Sequence, residues 1–548
     1  MTDPSATIRG DRGDPWQAIE WDEPGFADLT WEWDDMHTPR ALTRLSQSYL
    51  EALAVGMNAR ARKHGLPMRN LLKVLNGYVY FSFSIDAPAD ERTAVLERAK
   101  GLRRAEIDVV GAWWRDVAQP EAVALYRELD DLPNPDLDPQ ALAAAWDRAW
   151  QITERIWVIH FQVIVGAYEA LDELVEAVKA RLDGVSDGEI LALASGRIQD
   201  LADVEDALSG LARIVAADPD LVARLRTAPP RTIAELRTLP GAAGLADAFD
   251  AFLAVHGHLG HLTEDLDEPS WSAAPGRLLV DLAIRTARDD GAVADRRAEH
   301  QAAAAALEGR IRSELASRPE DLAAVEHALA DARAVGWLTE GHNYWLDRMC
   351  GDRMRRFTRR IGAYLVATGV VDDAEDICQL DRSEVGPLLL SPADRRGLVA
   401  ERREEHAWRS ALTPPRTIGK PPETPDPATA DRFDGARYSS TDAAVLRGTG
   451  ASAGVARAIA RVVRGPDDFD RVRPGDIVVA RASNPGWVPL FSIAGGFVTD
   501  TGGVLSHAAV VAREFGVPAV VGTGDATTRI GDGQIVELDG TTGYVRLG

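Results

Sequence analysis

Short apolar runs separated by glycine-containing turns dominate the C-terminal part of the chain. Between Gly448 and Leu547 the runs are rich in Val and Ile, which is typical of β-strands. Within this stretch the apolar period changes, and Ala508 to Phe515 has apolar residues on one helical face. We therefore predict a C-terminal domain of the α/β class, with βαβ connections.

A strand, a glycine turn and a helix follow one another between Val498 and Gly522. The apolar run ending at Val498 predicts a buried strand, and Thr501-Gly502-Gly503 predicts a tight turn. Ser506 occupies an N-cap position and Gly516 precedes a proline that stops the helix. His507 then lies in the first helical turn, where free N–H groups and the helix dipole favour a phosphoryl group. A histidine there is also a common polar cap, so the pattern alone leaves both interpretations open.

The longer N-terminal part has mainly helical spacing of apolar residues. Within it, Leu142 to Ala180 presents five ring-bearing side chains on one face: Trp146, Trp150, Trp157, His160 and Phe161. That face forms either a helix–helix core or the aromatic wall of a ligand pocket. Thirteen of the 14 Trp residues precede residue 436, which favours a pocket for a flat apolar ligand in this part.

These patterns divide the chain into four segments. Residues 1–15 are predicted to be a disordered tail, 16–411 a mainly α-helical domain with room for two subdomains, 412–435 a Pro-rich linker, and 436–548 the α/β domain. Within the helical domain we predict a helix that opens at Pro39 and a short strand over Val74–Phe83. Two further helices lie between Arg318 and Ala367, with a break at Gly341.

Composition and charge exclude several classes of partner. The formal net charge is −24, so nucleic acid and anionic membrane surfaces are not expected to bind. No run of 18 apolar residues occurs, and the N-terminal residues have no apolar core of a signal peptide. Two cysteines, Cys350 and Cys378, fit a reducing compartment. We expect a cytoplasmic protein.

The segment around His507 resembles the phosphohistidine segment of the phosphoenolpyruvate-utilising enzymes, a group that includes pyruvate phosphate dikinase, phosphoenolpyruvate synthase and rifampicin phosphotransferase. The matching residues are Gly502, Gly503, Ser506, His507, Ala508, Ala512, Arg513, Gly516, Pro518 and Ala519. The resemblance to a swivelling domain covers Gly448–Leu547. It implies that His507 accepts a phosphoryl group at one active site and delivers it at another.

Several neighbours of His507 have the chemistry to assist this transfer. A neutral imidazole can attack phosphorus, and the phosphoramidate retains the transfer potential for a second acceptor. Thr501 and Ser506, with the turn residues Gly502 and Gly503, could bind phosphoryl oxygens, and Arg513 could neutralise their charge. Turn and cap chemistry, or a surface ion pair for Arg513, explains the same residues.

A second group of polar residues lies in HGHLGHLTEDLDEPSW. It resembles the acceptor-binding segment of rifampicin phosphotransferases, although His256, Leu259, Thr263 and Ser270 depart from that pattern. The resemblance implies an acceptor site that includes His256, His258, His261, Glu264, Asp265 and Trp271, with His258 as candidate base because imidazole titrates near neutrality. A structural histidine is the other interpretation of His258. The spacing is not that of a zinc site, so we predict no metal.

The sequence shows no ATP-binding motif of its own. No GxxxxGK[ST] loop occurs, and the resemblance to split, phenylphosphate-synthase-type enzymes implies a separate ATP-grasp subunit. We therefore expect ATP and Mg²⁺ to act through that partner, none bound tightly by this chain, with ATP converted to AMP and phosphate. His507 would then pass its phosphoryl group to a small, phenolic acceptor.

Two other functions remain open. A phosphoenolpyruvate-synthase-like or rifamycin-type phosphotransferase would use a different acceptor, but the helical pattern does not predict the α/β barrel that binds pyruvate in the former. A non-catalytic carrier or regulatory protein would keep the fold only for binding, and the intact Ser506-His507-Ala508 argues against it.

Overall fold

The computed structural model describes residues 15–16, 19–132, 138–196, 198–260, 265–288, 290–421, 438, 442, 444–483 and 485–548. Nearly all of the predicted tail 1–15 and most of the predicted linker 412–435 lie outside these residues. The described chain is a mainly helical N-terminal region followed by a C-terminal α/β region. The predicted fold class is therefore confirmed.

Sixteen helices of the N-terminal region have regular α geometry. They are α1 (Arg44–Lys63), α2 (Arg92–Trp113), α3 (Gln119–Asp130), α4 (Pro139–Lys179), α5 (Asp187–Ala192), α6 (Gln199–Ala216), α7 (Pro219–Thr227), α8 (Ile233–Thr238), α9 (Ala243–His256), α10 (Pro275–Arg285), α11 (Asp290–Leu315), α12 (Pro319–Val335), α13 (Leu338–His342), α14 (Met349–Ala367), α15 (Arg382–Leu390) and α16 (Arg396–Ser410), among the described residues. A π-helical segment, Asn343–Arg348, joins α13 to α14. The predicted break at Gly341 is wrong, because the helix continues through it.

The 41-residue helix α4 is the axis of the helical region. Its apolar face is buried against α1, α2, α12 and α15. The aromatic face contributes to the helix–helix core and, further along the helix, to a cavity wall; its role as the wall of a ligand pocket stays a prediction. Trp146 lies in the helix–helix core, where its indole N–H donates to the carbonyl of Arg382 at 3.1 Å. Trp157, His160 and Phe161, further along, line a cavity.

A four-stranded antiparallel sheet packs beside these helices. Its strands are β1 (Thr30–Trp33), β2 (Met68–Leu75), β3 (Tyr78–Ile85) and β4 (Thr417–Gly419), in the order β2-β3-β1-β4. The single strand predicted over Val74–Phe83 is wrong. Asn76 and Gly77 have φ of 52° and 82°, as a two-residue hairpin turn requires, so the chain reverses there. The helix predicted from Pro39 begins instead at Arg44, with Thr43 at the N-cap position.

The C-terminal region is built on an eight-stranded mixed sheet. Its strands are β5 (Val445–Arg447), β6 (Thr449–Ser452), β7 (Val455–Val463), β8 (Ile477–Ala480), β9 (Gly496–Thr499), β10 (Ala519–Val521), β11 (Ile535–Asp539) and β12 (Tyr544–Leu547), and its helices are α17 (Val488–Phe491), α18 (His507–Phe515) and α19 (Ala526–Arg529). The order is β5-β12-β11-β7-β8-β9-β10-β6, and β7 to β10 run parallel. The predicted βαβ connection is present as β9-α18-β10.

The two regions pack directly against each other. Val504 and Leu505, which precede α18, are buried in one apolar cluster with residues of α4, α5 and α12. The Arg481 guanidinium pairs with Asp35 at 2.7 Å and lies 4.1 Å from the ring of Trp33. This packing brings the start of α18 to the helical region.

Among the described residues, no helix combines the length and the apolarity needed to cross a bilayer.

A buried carboxyl on α10 predicts a pH-dependent stability. Burial raises the pKa of Asp281 to about 7, while Arg285 and Arg277 oppose this rise and Asp470 adds to it. The Oδ2 atom of Asp281 has no hydrogen-bond partner among the described residues. Between pH about 4 and 7 the folded chain therefore holds this proton while the unfolded chain does not. The free energy of unfolding consequently falls as pH rises through that window.

We expect Asp281→Asn to flatten this dependence between pH 5 and 7.5 by about 1–3 kcal/mol, measured by urea unfolding. Asp372→Asn, at a carboxylate with an exposed side chain, is the control. Parallel curves for wild type and Asp281→Asn would contradict the assignment.

Candidate functional site

The predicted strand, glycine turn and helix are all present around His507. Strand β9 ends at Thr499, and α18 begins at His507 with Ser506 as its N-cap residue and Gly516, at φ 64°, as its C-cap. The Ser506 hydroxyl does not cap the helix. It donates to the carbonyl of Gly503 at 2.7 Å and so closes the glycine turn.

The turn requires glycine at Gly502. This residue has φ of 97°, and a Cβ there would lie 2.8 Å from the Ser506 Oγ. Thr501 supports the same turn, because its hydroxyl and its backbone N–H both donate to the carbonyl of Arg481, at 3.1 and 3.0 Å. The hydrogen bonds of Thr501 and Ser506 thus hold the backbone between β9 and α18 in place.

His507 is buried, with 5% of the residue exposed, and its two ring nitrogens have different surroundings. Nδ1 lies 2.7 Å from Oε2 of Glu340, whereas Nε2 has no hydrogen-bond partner among the described residues. A carboxylate accepts a hydrogen bond, so in the neutral ring the proton is on Nδ1 and the lone pair is on Nε2. Nε2 is therefore the ring nitrogen whose lone pair no described residue engages.

Glu340 comes from α13 of the helical region and is equally buried. Its Oε2 also accepts from the side-chain amide of Asn343 at 3.1 Å. A Cβ on the next residue, Gly341, would lie 2.7 Å from the ring of Trp337, so a larger residue there would displace that ring. The sequence analysis did not identify Glu340. The signal in the sequence that could have pointed to Glu340 is the density of polar residues in α13, a helix that is buried.

A cavity of about 790 Å³ lies where the two regions meet. Thr501, Gly502, Ser506, His507 and Ala508 form part of its wall on the C-terminal side. The helical region contributes ring-bearing side chains and both acidic and basic groups. They include Glu32, Trp33, Asp34, Asp35, His37, Arg60, Phe81, Phe83, Arg103, Trp157, His160, Phe161, Tyr168, Glu340, His342 and Asp347.

Two family models match the chain. Residues 472–543 match the PEP-utilising enzyme, mobile domain, which includes the glycine turn and His507. Residues 160–340 match the rifampicin phosphotransferase fourth domain. Over these two ranges the chain is similar to the PEP-utilising, dikinase-like family. The matched ranges meet at the site itself, since Glu340 and His507 come one from each.

Curated relatives extend the similarity over almost the whole chain. Chondramide synthase cmdD of Chondromyces crocatus is 31% identical over 96% of this chain and 14% of its own length. Uncharacterized phosphotransferase YvkC of Bacillus subtilis is 34% identical over 38% of this chain and 25% of its own. A rifampicin phosphotransferase of a Streptomyces species is 31% identical over 62% of this chain and 39% of its own. The chain thus spans between 14% and 39% of these relatives, and the family relationship supports phosphotransferase activity.

Arg513 lies on α18, but it is not among the described residues that line the cavity. It donates to the carbonyl of Ala451 at 2.9 Å and so ties α18 to β6. Burial lowers the pKa of this group to about 10. Arg513 therefore has a structural contact of its own, and its role in phosphoryl binding stays a prediction.

The residues predicted to bind the acceptor lie elsewhere. His256, His258, Asp265 and Trp271 are all buried or nearly so, and none is among the described residues that line the cavity. The His256 ring contacts the Tyr344 hydroxyl at 3.0 Å; Asp265 accepts from Arg40 at 2.9 Å and from Ser46 at 2.8 Å. His261 and Glu264 lie outside the described residues. The acceptor role of this segment stays a prediction.

The hydrogen bond to Glu340 gives a testable expectation for His507. In Glu340→Gln the side-chain amide can donate to Nδ1, which favours the ring form with its proton on Nε2 and removes the nucleophilic lone pair. We expect chemical phosphorylation of His507 by phosphoramidate to slow by about 10²–10⁴-fold, followed by the acid-labile label.

Glu514→Gln is the matched control. Glu514 is a carboxylate on the same helix, and it accepts from the backbone N–H of Gly196 at 2.9 Å. Equal labelling rates in Glu340→Gln and wild type would show that Glu340 does not set the ring form.

Proposed function

We propose that this chain carries a phosphoryl group on His507 and transfers it to an aromatic hydroxyl compound bound in the cavity between the two regions. The observation that supports this most directly is the state of His507. Its Nδ1 is held by Glu340, and its unpartnered Nε2 belongs to a residue in the cavity wall.

The first half-reaction places the phosphoryl group on Nε2. The lone pair of Nε2 attacks phosphorus, the N–P bond forms, and the bond from phosphorus to the donor's leaving oxygen breaks. The positive charge that develops on the ring is stabilised by the Glu340 carboxylate. Backbone N–H groups at the start of α18 have no partner within the helix, and together with the helix dipole they favour the incoming anion.

The donor is ATP bound to an ATP-grasp subunit, which also holds Mg²⁺. One phosphoryl group of ATP passes to His507 and the other passes to water, so AMP and phosphate are released. Two features favour binding of ATP to a unit outside the two regions described above. The sequence contains no P-loop motif, and the matched relatives are longer than the part this chain spans. A swivelling movement of the C-terminal region would carry His507 between the donor and the cavity.

The walls of the cavity favour a neutral aromatic acceptor. Rings from α4 and β3 line one side, among them Trp157, Phe161 and Phe81. The lining carboxyl groups, five in all, outnumber the two guanidinium groups of Arg60 and Arg103. This balance disfavours an anionic acceptor such as pyruvate.

The size of the cavity favours an acceptor larger than phenol itself. A volume of about 790 Å³ lies in the range of sites for drug-sized molecules, roughly 300–1,000 Å³. A rifamycin-type phosphotransferase is therefore the second candidate, supported by the match to the fourth domain of that enzyme.

His507 itself provides the direct test. With ATP, Mg²⁺ and the ATP-grasp subunit, wild type should gain one phosphoryl group that is lost in acid and survives alkali, as a phosphoramidate does. His507→Ala and His507→Asn should lose both this label and the phosphorylated product, because neither side chain can attack phosphorus. Thermal unfolding of both variants checks that the fold is retained.

Two results would contradict parts of this proposal. Full product formation by His507→Ala would exclude the phosphohistidine. ATP turnover by the purified chain with no other protein would exclude the separate ATP-grasp subunit while leaving the role of His507 intact.

A further inference from the structure

Two buried groups from distant parts of the helical region meet in the wall of the same cavity. His160 is on α4 and Asp347 is in the π-helical segment, 187 positions later. Nδ1 of His160 lies 2.6 Å from Oδ1 of Asp347, and only 7% and 4% of the two residues are exposed. Neither contacts His507 through a hydrogen bond, so the site described above does not explain the pair.

The geometry of the π-helical segment explains how Asp347 reaches this position. His342 and Asp347 are five positions apart in the chain. In an α-helix that spacing places two side chains on different faces, whereas the i→i+5 hydrogen bonds of a π-helix bring them to the same face. His342 is held by its own backbone, since its Nδ1–H donates to the carbonyl of Leu338 at 2.7 Å. Its Nε2 lies 3.7 Å from Oδ2 of Asp347.

These contacts assign the ring form of His160. With Asp347 ionised, its carboxylate accepts the hydrogen bond, so Nδ1 of His160 carries the proton and Nε2 carries the lone pair. Nε2 makes no hydrogen bond to a described residue, and His160 lines the cavity. A carboxylate that orients a histidine in the wall of a cavity, with the second ring nitrogen free of protein hydrogen bonds, is the arrangement of a general base.

We propose that His160, oriented by Asp347, is the general base that removes the hydroxyl proton of the acceptor. This assignment rests on the proposed phosphotransferase function. It differs from the sequence-based candidate, His258, whose Nε2 is buried without a partner and is not part of the described cavity wall.

The proposed transfer step moves one proton and one phosphoryl group. Nε2 of His160 takes the acceptor proton while the acceptor oxygen forms a bond to phosphorus. The bond between phosphorus and Nε2 of His507 breaks, and its electron pair returns to that nitrogen. The Asp347 carboxylate stabilises the resulting imidazolium of His160, which afterwards loses its proton to water.

Burial shifts the pKa of each member of the pair in the direction that favours its neutral form. It lowers the pKa of His160 to about 3, with a contribution from His37, so the ring is neutral before reaction. It raises the pKa of Asp347 to about 6. The groups that act electrostatically on Asp347 include His342, His37, Arg348 and Glu340. Above pH about 6 the carboxylate is therefore ionised.

A metal site is the alternative use of the same residues, because ligand atoms of His160, His342 and Asp347 lie within 4.8 Å of one another. The contact of 2.6 Å between Nδ1 and Oδ1 is a hydrogen-bond distance. Two ligands of one tetrahedral zinc ion are about 3.3 Å apart, given metal–ligand distances near 2.0–2.1 Å. The pair is therefore set as hydrogen-bond partners.

The test separates the two half-reactions and varies the acceptor. Full-length chain is first phosphorylated on His507 with phosphoramidate, and transfer is then measured to phenol and to 4-nitrophenol, whose hydroxyl ionises near neutrality. A general base is needed to remove the hydroxyl proton of phenol, whereas 4-nitrophenol ionises readily and needs a base much less. We expect His160→Gln to slow transfer to phenol by about 10²–10⁴-fold and transfer to 4-nitrophenol far less, with labelling of His507 unchanged.

Asp347→Asn tests the positioning role. In wild type the rate of transfer to phenol should fall as pH drops below about 6, and this variant should lose that pH dependence together with most of the rate. His327→Gln, an exposed histidine on α12, and Asp281→Asn, a buried carboxyl away from the described cavity wall, are the matched controls.

Three results would overturn the assignment. The first is that His160→Gln slows transfer to phenol and to 4-nitrophenol equally. The second is that His258→Ala selectively loses transfer to phenol while His160→Gln stays active. The third is that wild type contains one equivalent of tightly bound transition metal. If labelled wild type transfers to neither phenol nor 4-nitrophenol, the proposed acceptor class fails and the base assignment fails with it.

Discussion

The hydrogen bond between Glu340 and His507 is the interaction on which the site depends. It links the helical region to the first residue of α18, and it is buried on both sides. A buried carboxylate without a partner is costly, so each side chain favours the presence of the other. One contact therefore fixes the ring form of His507 and also holds His507 at the cavity.

Other contacts between the two regions reinforce this placement without touching His507. Arg481 pairs with Asp35 and lies over Trp33. Glu514 accepts the backbone N–H of Gly196 at the opposite end of α18. Because both ends of α18 are anchored on the helical region, the ring of His507 has a defined direction. The structure thus shows His507 at the cavity where we propose that the acceptor binds.

The helix that supplies Glu340 is also the most irregular helix near the site. A π-helical segment follows α13 directly, and such segments occur often at functional sites. The irregularity allows one stretch of chain to present Glu340 to His507 and Asp347 to His160. These contacts place the proposed nucleophile and the proposed base in the wall of one cavity, each hydrogen-bonded to a carboxylate.

Local pattern was sufficient to predict the segment around His507. The turn, the N-cap position of Ser506 and the αL stop at Gly516 depend on residues a few positions apart, and hydrophobic period and glycine placement encode such short-range structure. The split into a helical region and an α/β region followed from the same periodicity. The pattern gave two wrong boundaries. The helix predicted from Pro39 begins at Arg44, and at Val74–Phe83 turn chemistry at Asn76-Gly77 overrode the alternation.

Only the tertiary structure decided what His507 and His160 contact. Their partners are 167 and 187 positions away in the chain, and no local rule relates residues at such separations. The strand β4 shows the same limit, since it pairs with β1 from the far end of the helical region. The sequence by itself determined that His507 begins α18 after a glycine turn, since that depends on backbone geometry within a few residues. The cavity, its carboxylates and the choice of nitrogen depend on packing between distant segments, which no short stretch of sequence encodes.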